Sequence, residues 1–93
     1  MDIEEQIARH DFPTGIRVSS YPEGLGTTVF RIVQRSPQQT RGLEIALTRE
    51  ASEMYGEGPS VNTVLDQLRR HLDEGLPVVE PGQEYPRLTF QGD

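Results

Sequence analysis

The stretch Val29-Phe30-Arg31-Ile32-Val33 sets the pattern for the middle of the chain, because Phe30 and Ile32 alternate with Arg31 and Val33. Apolar side chains two positions apart are typical of a strand with one buried face. The same spacing recurs before and after this stretch, at Ile16 and Val18 and at Leu43, Ile45 and Leu47. The links at residues 21–26 and 36–40 have turn-forming composition and hairpin length. The pattern therefore predicts a three-stranded antiparallel meander.

Helical periodicity occurs in the sequence both before and after this meander. At the start of the chain, Ile3, Ile7 and Ala8 share one side of a short helix that Asp2 is placed to cap. Residues 60–74 carry the clearest helical stripe, formed by Val61, Val64, Leu65, Leu68 and Leu72. We expect Ser60 to be its N-cap and Gly75 its C-cap.

The segment from Arg49 to Tyr55 is ambiguous from sequence alone. It fits a short helix that Thr48 caps and Gly56 ends, or a strand that runs into a loop. We favour the helix. The expected order is thus helix, strand, strand, strand, helix, with one or two helices packed on the sheet.

The chain of 93 residues fits a single α+β domain spanning residues 1–93. For a compact domain of this length we expect a radius of gyration of about 12 Å. Its last part, residues 77–93, contains Pro77, Pro81 and Pro86, which exclude a central strand throughout. Two readings remain for these residues: an edge hairpin turning at Pro81-Gly82, or an extended tail that wraps the domain.

Composition argues against several classes of function. The chain has no Cys and no Lys, so thiolate sites and lysine-based chemistry are excluded. No apolar run approaches the roughly 18–20 residues of a membrane span, and the acidic start does not resemble a secretory signal. We expect a cytoplasmic protein that does not enter a membrane.

The sequence nominates no catalytic, cofactor-binding or metal-binding residue. His10 and His71 are the only histidines, and neither has a second ligand at metal-binding spacing. No serine lies in a nucleophile elbow, and the glycine pairs do not continue into a dinucleotide-binding motif. We therefore expect a protein that is not an enzyme and uses no cofactor.

Charge is unevenly distributed along the chain. The formal net charge is −6, yet residues 14–49 carry five Arg against two Glu. Pleating places Arg17, Tyr21, Arg31 and Arg35 on the sheet face opposite Phe30 and Ile32. If the helices cover the apolar face, these side chains either form an ordinary solvated surface or dock a partner, since Arg and Tyr are enriched where proteins bind.

A second candidate surface is acidic and consists of Glu50, Glu53 and Glu57, which we expect on one side of a helical turn. Such residues can simply maintain solubility, or they can contact a basic protein such as a nucleic-acid enzyme or a toxin.

We interpret the chain as a small acidic interaction module that docks on a basic surface of a protein partner. Inhibitors, immunity proteins, antitoxins and phage-encoded anti-defence proteins are the classes that this description fits. A homodimer through the sheet face or the tail is a further reading. The alternative is a nucleic-acid-binding domain that uses the Arg-bearing face, although an excess of negative charge opposes binding to a polyanion.

Overall fold

A computed structural model describes residues 2–90 and confirms the expected α+β class. The helices and strands follow in chain order: α1 (Ile3–Arg9), β1 (Ile16–Glu23), β2 (Thr27–Arg35), β3 (Thr40–Leu47), α2 (Arg49–Tyr55), α3 (Glu57–Glu74), β4 (Val78–Val79) and β5 (Arg87–Thr89). The radius of gyration is 13.0 Å, close to the 12 Å expected. Within residues 2–90 no helix is long and apolar enough to span a membrane.

The predicted meander is confirmed. Strand β2 pairs antiparallel with β1 on one side and with β3 on the other. The register sets Phe30 opposite Ile45 and Ile32 opposite Leu43, so the alternating apolar side chains lie on one face of the sheet. We call this the helix face, because α3 packs against it and closes the core.

The core is formed where α3 meets the helix face. Its buried side chains come from β2 and β3, from the stripe of α3 and from the segments that follow it: Phe30, Ile32, Leu43, Ile45, Leu47, Val61, Val64, Leu65, Leu68, Leu76 and Phe90. The stripe of α3 therefore does what its period of 3.6 residues predicts, which is to bury one side of the helix.

The predicted N-caps are right for two helices and wrong for the third, whose predicted C-cap, Gly75, is confirmed. The Asp2 carboxylate accepts from the backbone N–H of Glu5, and Thr48 Oγ1 accepts from that of Ala51. Helix α3, however, begins at Glu57, so Ser60 lies inside it and is not its N-cap. Pro59 is tolerated in the first turn because a backbone N–H there has no partner within the helix.

The C-terminal segment does not form the predicted edge hairpin, because β4 and β5 do not pair with each other. Both β4 and β5 pair with β3, and they lie along the edge that β2 leaves open. Strand β4 is antiparallel and β5 parallel to β3, so the chain turns back between them. Of the predicted tail, residues 91–93 lie outside the described residues.

Candidate functional site

The candidate site lies on the sheet face opposite the helices, which we call the second face. The prediction of an uncovered second face is wrong in part, because the returning C-terminal segment places Tyr85 on it. A Cβ added at Gly42 would lie 2.8 Å from the Tyr85 ring and 2.6 Å from the Ile32 carbonyl oxygen. Gly42 is therefore the position that lets the ring lie directly on the strand.

Glu44 is the charged centre of the second face. Its side chain is 4% exposed, and its carboxylate accepts hydrogen bonds from the Tyr21 hydroxyl at 2.8 Å and from the Arg31 guanidinium at 2.8 Å. Arg87 donates to the other carboxylate oxygen at 3.1 Å. The register explains this cluster, because Arg31 and Arg87 are the direct neighbours of Glu44 on the two adjacent strands.

These contacts change the pKa values of the cluster. Burial by itself would raise the pKa of Glu44, but the hydrogen bonds from Tyr21, Arg31 and Arg87 outweigh it and hold the pKa below its usual range. Burial, followed by the hydrogen bond to Glu44, raises the pKa of the Tyr21 hydroxyl. The cluster is therefore a carboxylate kept ionised by three donors, rather than a carboxyl group poised to exchange protons.

Arg31 is held between two aromatic rings. Its guanidinium lies 4.4 Å from the centroid of the Tyr85 ring and 5.4 Å from that of Tyr21. Both distances suit a cation–π contact. Arg31 was predicted as a free docking residue, and here it is already engaged by Glu44 and two tyrosines. Its side chain is nevertheless 36% exposed, so it presents a fixed positive charge to the solvent beside it.

Arg17 and Arg35 lie beside Arg31. Arg17 is opposite Val33 in the register, so Arg31 and Arg35 are its two diagonal neighbours across β1 and β2. A cavity of about 500 Å³ opens there, lined chiefly by Arg17, Ser19, Arg31, Val33, Arg35 and Tyr85. We call this cavity the Arg groove. Both Arg17 and Arg35 are exposed and make no hydrogen bond or ion pair within residues 2–90.

The three acidic residues are divided between two helices and do not share one helical turn as the sequence predicts. Glu50 and Glu53 belong to α2, whereas Glu57 opens α3 beyond the break at Gly56. All three are exposed, and Glu53 accepts a hydrogen bond from Arg49 at 2.9 Å. We keep the name acidic patch for Glu50, Glu53 and Glu57.

The groups that could carry other chemistry have structural partners. His10 bridges the Gln6 carbonyl oxygen and the Asp66 carboxylate, at 3.1 Å from each. Asp66 therefore helps to hold the end of α1. That helix packs on the helix face and not on the second face. Within the described part of the chain, no cluster of His, Asp and Glu could hold a metal ion.

Sequence reasoning missed Tyr85 and Arg87, which complete the site. Both lie in the C-terminal segment. This segment reaches β3 through strand pairing that no local sequence pattern predicts. One signal was present: a glycine inside the predicted third strand, at Gly42, often marks a close approach by another part of the chain.

Comparison of the chain with protein families, curated proteins and solved structures gave no match.

Proposed function

We propose that this chain is a non-enzymatic protein-binding module and that the Arg groove is its contact surface. The observation that supports this most directly is the unpaired state of Arg17 and Arg35 within residues 2–90. None of the acidic side chains within residues 2–90 forms an ion pair with these two guanidiniums. An acidic segment of a partner would supply the missing carboxylates through charge-assisted hydrogen bonds.

The third guanidinium of the groove favours binding through its rigidity. Arg31 is fixed by the carboxylate of Glu44 and by the ring of Tyr85. A side chain that is already ordered loses little conformational entropy when a partner arrives. The groove thus combines one preorganised cation with two adaptable ones, and Arg and Tyr are the residue types enriched at binding hot spots.

Nucleic acid is a poorer occupant of the same groove. Binding of single strands relies on aromatic faces on which bases stack. The two tyrosines of the second face, Tyr21 and Tyr85, both have Arg31 over their rings. The net charge of −6 also opposes a polyanion at long range, whereas a short acidic peptide carries far less charge.

A second candidate surface is the acidic patch, which would suit a partner with a basic surface. Beside it, Met54 and Tyr55 on α2 are 73% and 49% exposed. Apolar side chains next to carboxylates are suitable for docking a basic protein, as an inhibitor, immunity protein, antitoxin or anti-defence protein does. The experiment below therefore includes this surface.

The test is affinity capture from lysate of the source cells, before and after nuclease treatment, with mass-spectrometric identification at low and high salt. The baits are wild type, Arg17→Glu, Arg35→Glu, Glu50→Arg and the control Arg70→Glu. Arg70 is exposed and unpaired within residues 2–90 and lies on α3, so its reversal changes the net charge equally. We expect a protein that wild type and the control retain, and that each groove variant binds about tenfold more weakly.

The outcomes separate the candidates. Retention of the same protein by Arg17→Glu and Arg35→Glu, with loss by Glu50→Arg, would reject the groove and favour a basic partner. A partner captured only before nuclease treatment would favour the nucleic-acid alternative. Equal capture by all five baits would place the contact on neither surface.

A further inference from the structure

Strand β1 is the free edge of the sheet. The sheet runs β1-β2-β3, and β4 and β5 occupy the far edge of β3. Within residues 2–90 no strand pairs with the outer side of β1. An unpaired edge offers backbone N–H and C=O groups to any extended chain that approaches it.

The hydrogen bonds of β3 determine which groups of β2 face β1. The N–H groups of Gly42 and Glu44 donate to the carbonyl oxygens of Pro77 and Pro86, so they point away from β2. In an antiparallel ladder, residues opposite each other turn their backbone groups either toward each other or apart. Val33 and Arg31, which oppose Gly42 and Glu44, therefore turn their groups toward β1.

The same alternation then fixes the outer edge of β1. Arg17 and Ser19 oppose Val33 and Arg31, so their backbone groups are used in the ladder with β2. Val18 and Ser20 consequently direct their N–H and C=O groups outward. No hydrogen bond within the described part of the chain satisfies those outward groups.

The two ends of this free edge are already closed. The Ile16 N–H donates to the Pro13 carbonyl oxygen at 3.1 Å. Pro22 has no N–H to offer, as is common for proline on an edge strand. The open part of the edge is therefore short and centred on Val18 and Ser20.

Different surfaces flank the open edge on its two sides. On the second face lies the Arg groove, to which Arg17 belongs. On the helix face lies a depression of about 360 Å³ between α1 and β1, whose apolar lining includes Ile7, Phe12, Ile16 and Val18. An added strand would present successive side chains to these two surfaces in turn.

We propose that β1 binds its partner by strand addition and that the added strand alternates acidic and apolar side chains. The proposal rests on the proposed function, since it specifies how the groove is reached. If the added strand is antiparallel to β1, the residue opposite Arg17 occupies the closer, non-hydrogen-bonded type of pair, because the backbone groups of Arg17 are turned toward β2. A carboxylate at that position meets the unpaired guanidinium.

A second copy of this chain is a poor occupant by the same charge argument. Between Ile16 and Pro22, β1 carries no carboxylate that could meet Arg17 of another copy. Each copy also brings a net charge of −6 to the contact.

The test uses a capped synthetic peptide of alternating Val and Glu, with two backbone-methylated versions as probes. One version carries N-methyl groups on the Val residues and the other on the Glu residues. Strand addition uses N–H groups from only one of these sets. We expect methylation of one set to weaken binding at least about tenfold and methylation of the other to change it little. Binding of the unmethylated peptide should slow hydrogen exchange at the Val18 and Ser20 amides.

The remaining outcomes distinguish this proposal from the proposed function. Binding that Arg17→Glu abolishes and Arg70→Glu preserves, but that neither methylation alters, would overturn strand addition and leave the groove as the contact surface. No binding of the acidic peptide, or equal binding of a Val-Lys peptide, would overturn both. A peptide-independent dimer with protected Val18 and Ser20 amides would assign the edge to a second copy and overturn the proposal.

Discussion

The guanidinium of Arg31 lies 4.4 Å from the centre of the Tyr85 ring, and this contact connects the central strand to the C-terminal segment. The stacked pair also separates two cavities of the second face. On one side is the Arg groove, and on the other a cavity of about 600 Å³ that includes Glu23, Glu44 and Arg87. In that cavity Arg87 is paired with Glu23 and Glu44, whereas Arg17 and Arg35 of the groove have no ion-pair partner within residues 2–90.

Removal of the Tyr85 ring should loosen the C-terminal segment. We expect Tyr85→Ala to lower the free energy of unfolding by about 1–2 kcal/mol, because the half-buried ring loses its contact with the sheet and with Arg31. Tyr85→Phe should match wild type, because the hydroxyl makes no hydrogen bond within residues 2–90. Urea denaturation measures the loss of stability. Exchange of the Glu44 amide, which donates to Pro86, should be faster in the Ala variant only.

An equal loss in both variants would show that the hydroxyl, and not the ring, holds the segment.

The buried carboxylate of Glu44 should make stability depend on acid. Its pKa is lowered in the folded state, so the stabilisation is present above the ordinary pKa of Glu, near 4.3, and is lost as the pH falls through the lowered value. Glu44→Gln should cost about 1–3 kcal/mol at neutral pH, since the partly exposed Arg partners are screened by solvent. The substitution should also make the free energy of unfolding depend less on pH in the acidic range. Urea denaturation from about pH 7 to about pH 2 measures both effects.

Glu84→Gln serves as the matched control, because Glu84 is exposed. If the free energy of unfolding of Glu44→Gln falls in acid as steeply as that of wild type, the acid dependence comes from other carboxylates.

The contact between α1 and α3 should depend on Arg69 rather than on its neighbour Arg70. The Arg69 guanidinium donates to the carbonyl oxygens of His10 and Asp11 at 3.0 and 3.4 Å, and it lies 5.7 Å from the centre of the Phe12 ring. We expect Arg69→Gln to cost about 1 kcal/mol and to speed amide exchange in α1. Arg70→Gln should be neutral, because Arg70 is exposed and unpaired within the described residues. Similar losses in the two variants would contradict this assignment.

The sequence was sufficient for features that depend on local periodicity. The side-chain alternation around Phe30 and Ile32 predicts the buried face, and it places Arg17 and Arg31 together on the other face without any knowledge of contacts. The gathering of Arg17, Arg31 and Arg35 then follows from a regular antiparallel register.

Features that depend on the return of the chain could not be predicted. Tyr85 and Arg87 reach the second face only because β4 and β5 pair with the same edge of β3, one antiparallel and one parallel. Three prolines in the segment limit how it pairs but do not specify where it pairs. The open face inferred from the meander was therefore partly covered, and Arg31 was engaged instead of free.

The start of α3 offers a direct contrast between a true cap and a residue that only resembles one. Ser60 has the composition of an N-cap, but it lies inside α3, and its buried hydroxyl oxygen has no hydrogen-bond partner within residues 2–90. We expect Ser60→Ala to leave stability unchanged or to raise it by up to about 1 kcal/mol, because a buried unsatisfied polar group is removed. Thr48→Ala should cost about 1 kcal/mol, because Thr48 caps α2 through the Ala51 amide. Urea denaturation measures the free energy of unfolding of the two variants. A similar loss in both would mean that the Ser60 hydroxyl does accept a hydrogen bond at the start of α3, as the sequence pattern alone suggests.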